Sequence, residues 1–200
     1  MSVLRFPSGF TSALLFFCSL ALAPLAPAMA QVKLAGHSYD TSLRLADNEL
    51  QLNGVGVRAV AIFKAYTAGL YLKQKASDPA AVVALDGPKR LQMRMLIEVP
   101  AKEFIKAIEV GMTRNSSEAE LPALRDRMQT FERMVDAVGA VRKGDVVDLD
   151  WLPGKGMRFS VNGQARGANI GGEDFYGALL RIFIGDKPVD KGLKSGLLGS

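Results

Sequence analysis

The sequence is poor in the residues that carry most covalent and metal chemistry. It has one cysteine and one histidine in 200 residues. Cys18 lies in an apolar N-terminal run, so everything after it lacks thiol, disulfide and Cys-based metal or redox chemistry. His37 reads as a surface residue, and no carboxylate cluster has ligand spacing. A metal centre therefore has no ligand set, and no cofactor is expected. Ser–His and Cys–His nucleophilic catalysis lack their parts as well. No run of five lysines or arginines occurs, and charges alternate in sign along most of the chain. Nucleic-acid binding and strong electrostatic attraction to a membrane are left without support. A phosphate loop is missing too. Gly54-Val55-Gly56 precedes strand-like sequence, where a dinucleotide fingerprint needs a helix. Gly167 to Gly172 lacks the Lys-Ser/Thr pair and reads as a tight turn.

Long hydrophobic runs are confined to the first thirty residues. Arg5 is followed by an apolar run from Ala13 to Ala23, a Pro-rich stretch and Ala28-Met29-Ala30. That order matches the three regions of a secretory signal peptide. The run of about eleven residues is too short to span a bilayer as a helix. No small residue precedes Cys18 as a lipoprotein signal would require. The expected product is cleaved after Ala30, exported to the periplasm, and free of any integral membrane segment. Losing Arg5 removes one of the 25 basic residues and none of the 20 acids, so the net charge falls from +5 to +4. Residues 31–200 form one expected domain. A hydrophobic content of 48% supplies a core, and about 170 residues can hold together without disulfides.

What is present is periodicity. Leu43, Leu45, Leu50 and Leu52 lie among polar residues, which predicts extended chain with a turn at Asp47-Asn48. Asn53-Gly54 has the form of a hairpin turn. Strands are expected near 58–64 and 67–73. Gly69 inside the second implies a bulge or a close backbone approach. Asp78-Pro79 opens a short helix. From Arg90 to Val99 apolar residues alternate, with Leu91, Met93, Met95, Ile97 and Val99 on one face and Arg94 solvated on the other. A helix follows Pro100, with Phe104, Ile105, Ile108 and Met112 at helical spacing. Residues 117–138 form the longest predicted helix, opened by Ser117 and Glu120 as a capping box and stopped at Gly139. Strands are expected over 145–151, 157–161 and 164–169, then helices over 173–184 and 190–198. Segregated runs of strands and helices predict an α+β fold with an antiparallel sheet covered on one face.

Two strings are more specific. The first is Gly54-Val55-Gly56-Val57-Arg58 with Phe63-Lys64-Ala65-Tyr66-Thr67-Ala68-Gly69-Leu70-Tyr71-Leu72. The second runs from Gly172 through Phe175-Tyr176-Gly177-Ala178-Leu179-Leu180-Arg181 and Ile184-Gly185-Asp186-Lys187-Pro188 to Asp190. Together they resemble the chalcone isomerase-like family, in its bacterial exported branch, over about residues 50–198. The resemblance implies an open-faced β-sandwich, in which a large antiparallel sheet and a layer of helices enclose a ligand cleft. Plant members cyclise chalcones; others bind fatty acids. Arg58 matches the family's cleft arginine. Tyr66, or Thr67 with a one-residue shift, takes the position that helps grip a carboxylate in the fatty-acid binders. The isomerase tyrosine aligns with Phe104, its asparagine partner near Gly111, and the active-site Ser/Thr region with Lys191-Gly192-Leu193. None of these offers a hydroxyl.

The resemblance therefore implies a non-catalytic binder of a small amphipathic ligand, such as a fatty acid or similar carboxylate. Arg58 and Tyr66 or Thr67 would hold its head group. Residues such as Ile62, Met93, Met95, Phe104, Ile108 and Phe131 would line the tail. The alternatives are an isomerase of the chalcone–flavanone type and an envelope interaction protein with a filled cleft.

Overall fold

The structure, a computed structural model, describes residues 30–60 and 62–200; the expected signal segment lies outside the described residues. The chain runs β1 (Gln31–Leu34), β2 (His37–Asp40), β3 (Ser42–Leu45), β4 (Asn48–Val60), β5 (Phe63–Leu72), α1 (Pro79–Ala84), β6 (Lys89–Met95), β7 (Val99–Pro100) and α2 (Ala101–Asn115). It continues with α3 (Leu121–Asp136), β8 (Ala140–Val141), β9 (Val146–Leu152), β10 (Gly156–Val161), β11 (Gln164–Ala165), α4 (Glu173–Ile184) and α5 (Lys191–Leu198). Seven strands form one antiparallel sheet in the order β11-β10-β9-β6-β5-β4-β3. The fold is α+β, as the segregated runs imply.

Strand alternation decides what the sheet shows on each side. Leu70, Leu91, Met93, Leu149 and Phe159 face the helices and join the main core. That core is tied by edge-to-face contacts of Phe131 with Phe159 and Phe175, and by Trp151 stacked on Tyr176. On the other side Tyr39, Leu45, Leu50, Leu52, Tyr71 and Leu152 make a smaller cluster beside the β1–β2 hairpin. Gly69 is the close approach its position implies: a Cβ there would lie 2.7 Å from the Tyr39 ring.

Helix starts follow their caps. Asp78 accepts from the Ala81 N–H and Asp190 from the Leu193 N–H, satisfying donors that have no partner inside the helix. Ser117 and Glu120 bond reciprocally, but the α-helix proper begins later, at Leu121.

Three expectations need correction. Asn53-Gly54 is not a turn; β4 passes through it with a shift of register between Leu52 and Gly54. The glycines there serve a distant element. A Cβ on Gly54 would lie 2.1 Å from the Gly196 carbonyl oxygen, and one on Gly56 2.6 Å from that of Leu193. Helix α5 thus lies backbone-to-backbone on β4, and only glycine admits it. The Asn53 side chain locks the contact, donating to the carbonyls of Ala76 and Leu197. The real reversal falls between Val60 and Phe63. Second, β6 ends at Met95, because the N–H groups of Leu96 and Ile97 both turn to the Ala65 carbonyl. Third, pairing after Gly163 stops at Ala165, apart from a bridge between Met157 and Ile170.

Candidate functional site

The departure of the chain from the sheet at Met95 leaves a gap between the sheet and α2. A cavity of about 400 Å³ fills it. Ala65, Met93 and Met95 form its sheet side and Phe104, Ala107 and Ile108 its α2 side, while Ile182, Phe183 and Val189 come from the end of α4 and the loop beyond it. Its size falls within the roughly 300–1,000 Å³ of small-molecule sites, and its lining is mostly apolar, as in such sites. The polar lining residues are Arg58, Tyr66, Glu98 and Glu103. The cleft is therefore open, not filled by its own side chains.

Arg58 and Tyr66 are partners across β4 and β5. Arg58 is anchored through one end of its guanidinium. Nη1 donates to the carbonyls of Val189 and Ala59 and lies 3.8 Å from an Asp190 carboxylate oxygen. Asp190 is itself engaged. One oxygen caps α5 at 2.9 Å from the Leu193 nitrogen, and the other accepts from the Ala59 N–H at 3.1 Å. Burial works to raise the Asp190 carboxyl, but the N–H groups of Leu193, Ala59 and Gly192, with Arg58, hold it below its ordinary value. Tyr66 is pushed up by burial, against the pull of Arg58 and with a further push from Asp190. Its phenol stays protonated across the physiological range and can donate a hydrogen bond to an anion. The arrangement can hold a ligand carboxylate at the rim and an apolar chain inside.

A family profile for chalcone isomerase-like proteins matches residues 31–199. The chain belongs to that family. Among solved structures, a fatty-acid binding protein of Arabidopsis thaliana (AtFAP1) superposes with a TM-score of 0.66. The two share 14% identity, and the match covers 84% of this chain and 96% of that one. No curated protein matches. At such low identity the likeness shows the fold: the chalcone isomerase-like arrangement of a curled antiparallel sheet under helices. The positions that the resemblance matches to polar side chains of the isomerases sit as follows. Phe104 lines the cavity, Gly111 lies in α2 against Ile182 of α4, and Leu193 is buried under Gly56. A Cβ on Gly111 would come 2.5 Å from the Ile182 side chain, so that glycine serves helix packing.

Of the residues the sequence singles out, the structure brings Arg58, Tyr66, Met93, Met95, Phe104 and Ile108 together around the cavity. Thr67 is not among them. It follows Tyr66 on the same strand and so points through to the opposite face. There its Oγ1 lies 2.7 Å from the Tyr39 hydroxyl and 2.7 Å from His37 Nδ1. Ile62 and Phe131 also miss the lining. Ile62 is 87% exposed beyond the end of β4, and Phe131 is packed in the core. Val189 and Asp190 escaped the sequence reading. An Asp before a helix signals a cap, but nothing local pairs it with an arginine 132 positions earlier.

The opposite face is a polar ladder. Arg90 grips Asp150 in a two-pronged contact, Nε to Oδ1 at 2.6 Å and Nη2 to Oδ2 at 2.8 Å. Arg158 donates to the same carboxylate at 2.7 Å, and Gln92 to Asp148 at 2.9 Å. Arg94 is not solvated: its guanidinium lies 5.2 Å from the Tyr39 ring centre, and its Nε is buried. His37 is half-buried and not a plain surface residue, since β1–β2 folds it toward Thr67. Burial pushes the Tyr39 phenol up to about 12, against the pull of Thr67 and Arg94. Among the described residues no group of His, Cys, Asp and Glu is arranged to hold a metal ion.

Proposed function

We propose that this protein binds a fatty acid or similar amphipathic carboxylate in the cavity, as an exported, non-catalytic carrier. The observation that carries the reading is the pairing of an apolar cavity of about 400 Å³ with Arg58 and Tyr66 at its rim. The guanidinium and the phenol would hold the carboxylate by charge-assisted hydrogen bonds. The tail would lie between Met93 and Met95 on one side and Phe104 and Ile108 on the other. Flexible thioether side chains let such a lining adapt to chains of different length. The described residues contain no helix long and apolar enough to cross a membrane. The apolar N-terminal run and Ala28-Met29-Ala30 support export with cleavage after Ala30.

Native mass spectrometry and lipid extraction of the purified protein test the binding reading. A copurifying or added long-chain fatty acid, bound in a 1:1 complex, is the expected result. Failure of every fatty acid to bind would overturn it. The mass of the exported chain tests the processing: a mature protein that retains residues 1–30 would refute cleavage.

A further inference from the structure

The described residues expose six large apolar side chains, and four of them crowd one place. Val60 is 52% exposed, Ile62 87%, Phe63 64% and Ile97 40%. The first three form the end of the β4–β5 hairpin, and Val60 and Ile97 also line the cavity. The apolar lining therefore continues out of the mouth onto a protruding tip. An apolar cluster of this kind on a protein surface marks an interaction site.

The order of residues along the hairpin indicates the partner. Val60 pairs with Phe63 at the tip, Ala59 with Lys64 on the next rung, and Arg58 with Tyr66 on the rung after that. Between 58 and 66 the arms carry two cations and no acid. At about 3.3 Å per residue, Lys64 and Arg58 stand roughly 7–13 Å behind Ile62. That spacing suits an element whose apolar end enters a bilayer by about 5–10 Å while cations and a tyrosine stay at head-group level. Val60 and Phe63 are cross-strand partners and share a side, while Ile62 stands in the turn beyond them, so the exposed apolar groups run onto the very end of the hairpin. A bilayer can cover such an end whole, whereas a protein partner would need a socket shaped around the tip. The acids of the mouth, Glu98 and Glu103, come from the other lip, between β6 and α2 and in its first turn.

We infer that the β4–β5 hairpin tip docks this protein on a lipid bilayer, with the cavity mouth held at the head-group boundary. A ligand could then pass between bilayer and cavity without exposing its tail to water. This use of the tip builds on the proposed binding of an amphipathic carboxylate, but docking itself needs no ligand. Because the nearby acids offset the cations, apolar insertion supplies most of the attraction and anionic lipid adds little.

Flotation of the purified protein with vesicles of phosphatidylcholine and phosphatidylglycerol, free of fatty acid, tests the docking. The protein should float with the vesicles. Ile62→Asp together with Phe63→Asp should lower the bound fraction at least about tenfold, since both side chains lose their apolar burial. Both positions are exposed, so the double variant should keep its fold and its fatty-acid affinity. Ile108→Trp, which fills the cavity, should float like the parent while losing fatty acid. A protein that never floats, or a double variant that floats unchanged, overturns the docking. So does a tip that drives self-association in sedimentation while vesicles stay bare. If docking holds and no fatty acid binds, the binding reading fails alone.

Discussion

The two faces of the central sheet handle charge in opposite ways. Away from the helices, Asp150 is fully buried and receives Arg90 and Arg158, while Asp148 receives Gln92 and lies near Arg90. These charges pair with one another, although the Nε atoms of Arg94 and Arg158 on the same face are buried without a hydrogen-bond partner. Toward the helices the sheet is apolar apart from Lys89, which is buried at the start of β6 and pairs with Glu173 of α4. The cavity meets a cation only at its rim, where Arg58 is anchored through one nitrogen. Burial raises the Asp148 carboxyl, and Arg90 and Gln92 draw it back down only in part. A buried ion network adds little net stability over an apolar substitute, but removing one member leaves an unpaired charge. The polar face is thus a structural commitment, and the cavity face keeps polar capacity for a ligand.

The sharpest way to break this contrast is Asp150→Ala. It strands two arginines on the sheet, and the expected loss is about 3–5 kcal/mol of unfolding free energy in urea titrations. Fatty-acid affinity of the folded fraction should stay unchanged. A loss under about 1 kcal/mol would show that the ladder is not structurally coupled. Next in size is Gly54→Ala. The added Cβ meets the Gly196 carbonyl at 2.1 Å, so α5 must shift. Overpacking of this kind costs about 1–3 kcal/mol. Because Asp190 caps α5 beside Arg58, this change should also weaken binding, unlike Asp150→Ala. Thermal melts and titrations on the same sample separate the two effects.

The smallest effect concerns His37. Burial first, and then the positive charge of Arg94, hold its imidazole below the ordinary value. The fold favours the neutral ring. Its contribution is complete above the ordinary histidine pKa of about 6.5 and is lost as pH falls through the lower folded value. Amides of β1 and β2 should lose protection on acidification, measured against the intrinsic exchange rate at each pH, while those of β5 and β6 do not. His37→Asn should remove that difference. Equal protection of the hairpin at both pH values would contradict it.

Local signals in the sequence carried much of this fold. The alternation of Leu91, Met93 and Met95 foretells which side of β6 joins the main core, although Gln92 on the other side is buried as well, and Asp78-Pro79 and Asp190 mark the helix starts. Helix α4 has the bounds its apolar spacing implies. What stayed illegible depends on partners far along the chain. Gly54 and Gly56 look like turn glycines until α5, about 140 residues later, is laid across them. Arg94 looks solvated until β2 brings Tyr39 over it. The ambiguity between Tyr66 and Thr67 is resolved by alternation, because adjacent strand residues cannot share a face. Ile62 belongs outside the cavity for a similar reason: it lies past the last paired residue of β4, where no helix covers it. The lack of basic runs argues against electrostatic membrane attraction, yet says nothing of an apolar tip, which appears only when Val60, Phe63 and Ile97 are brought together.

The central claim is that Arg58 at the rim recognises the anionic end of a ligand whose tail fills the cavity. Calorimetric titration of the parent and of Arg58→Ala, each with a long-chain fatty acid and with its methyl ester, tests it most directly. The account predicts that the parent binds the acid about tenfold to a hundredfold more tightly than the ester, the range expected for hydrogen bonds to a charged group. In Arg58→Ala that preference should largely vanish, while ester affinity stays close to that of the parent. A parent that binds acid and ester equally, or an Arg58→Ala variant that keeps the full preference, would contradict the account.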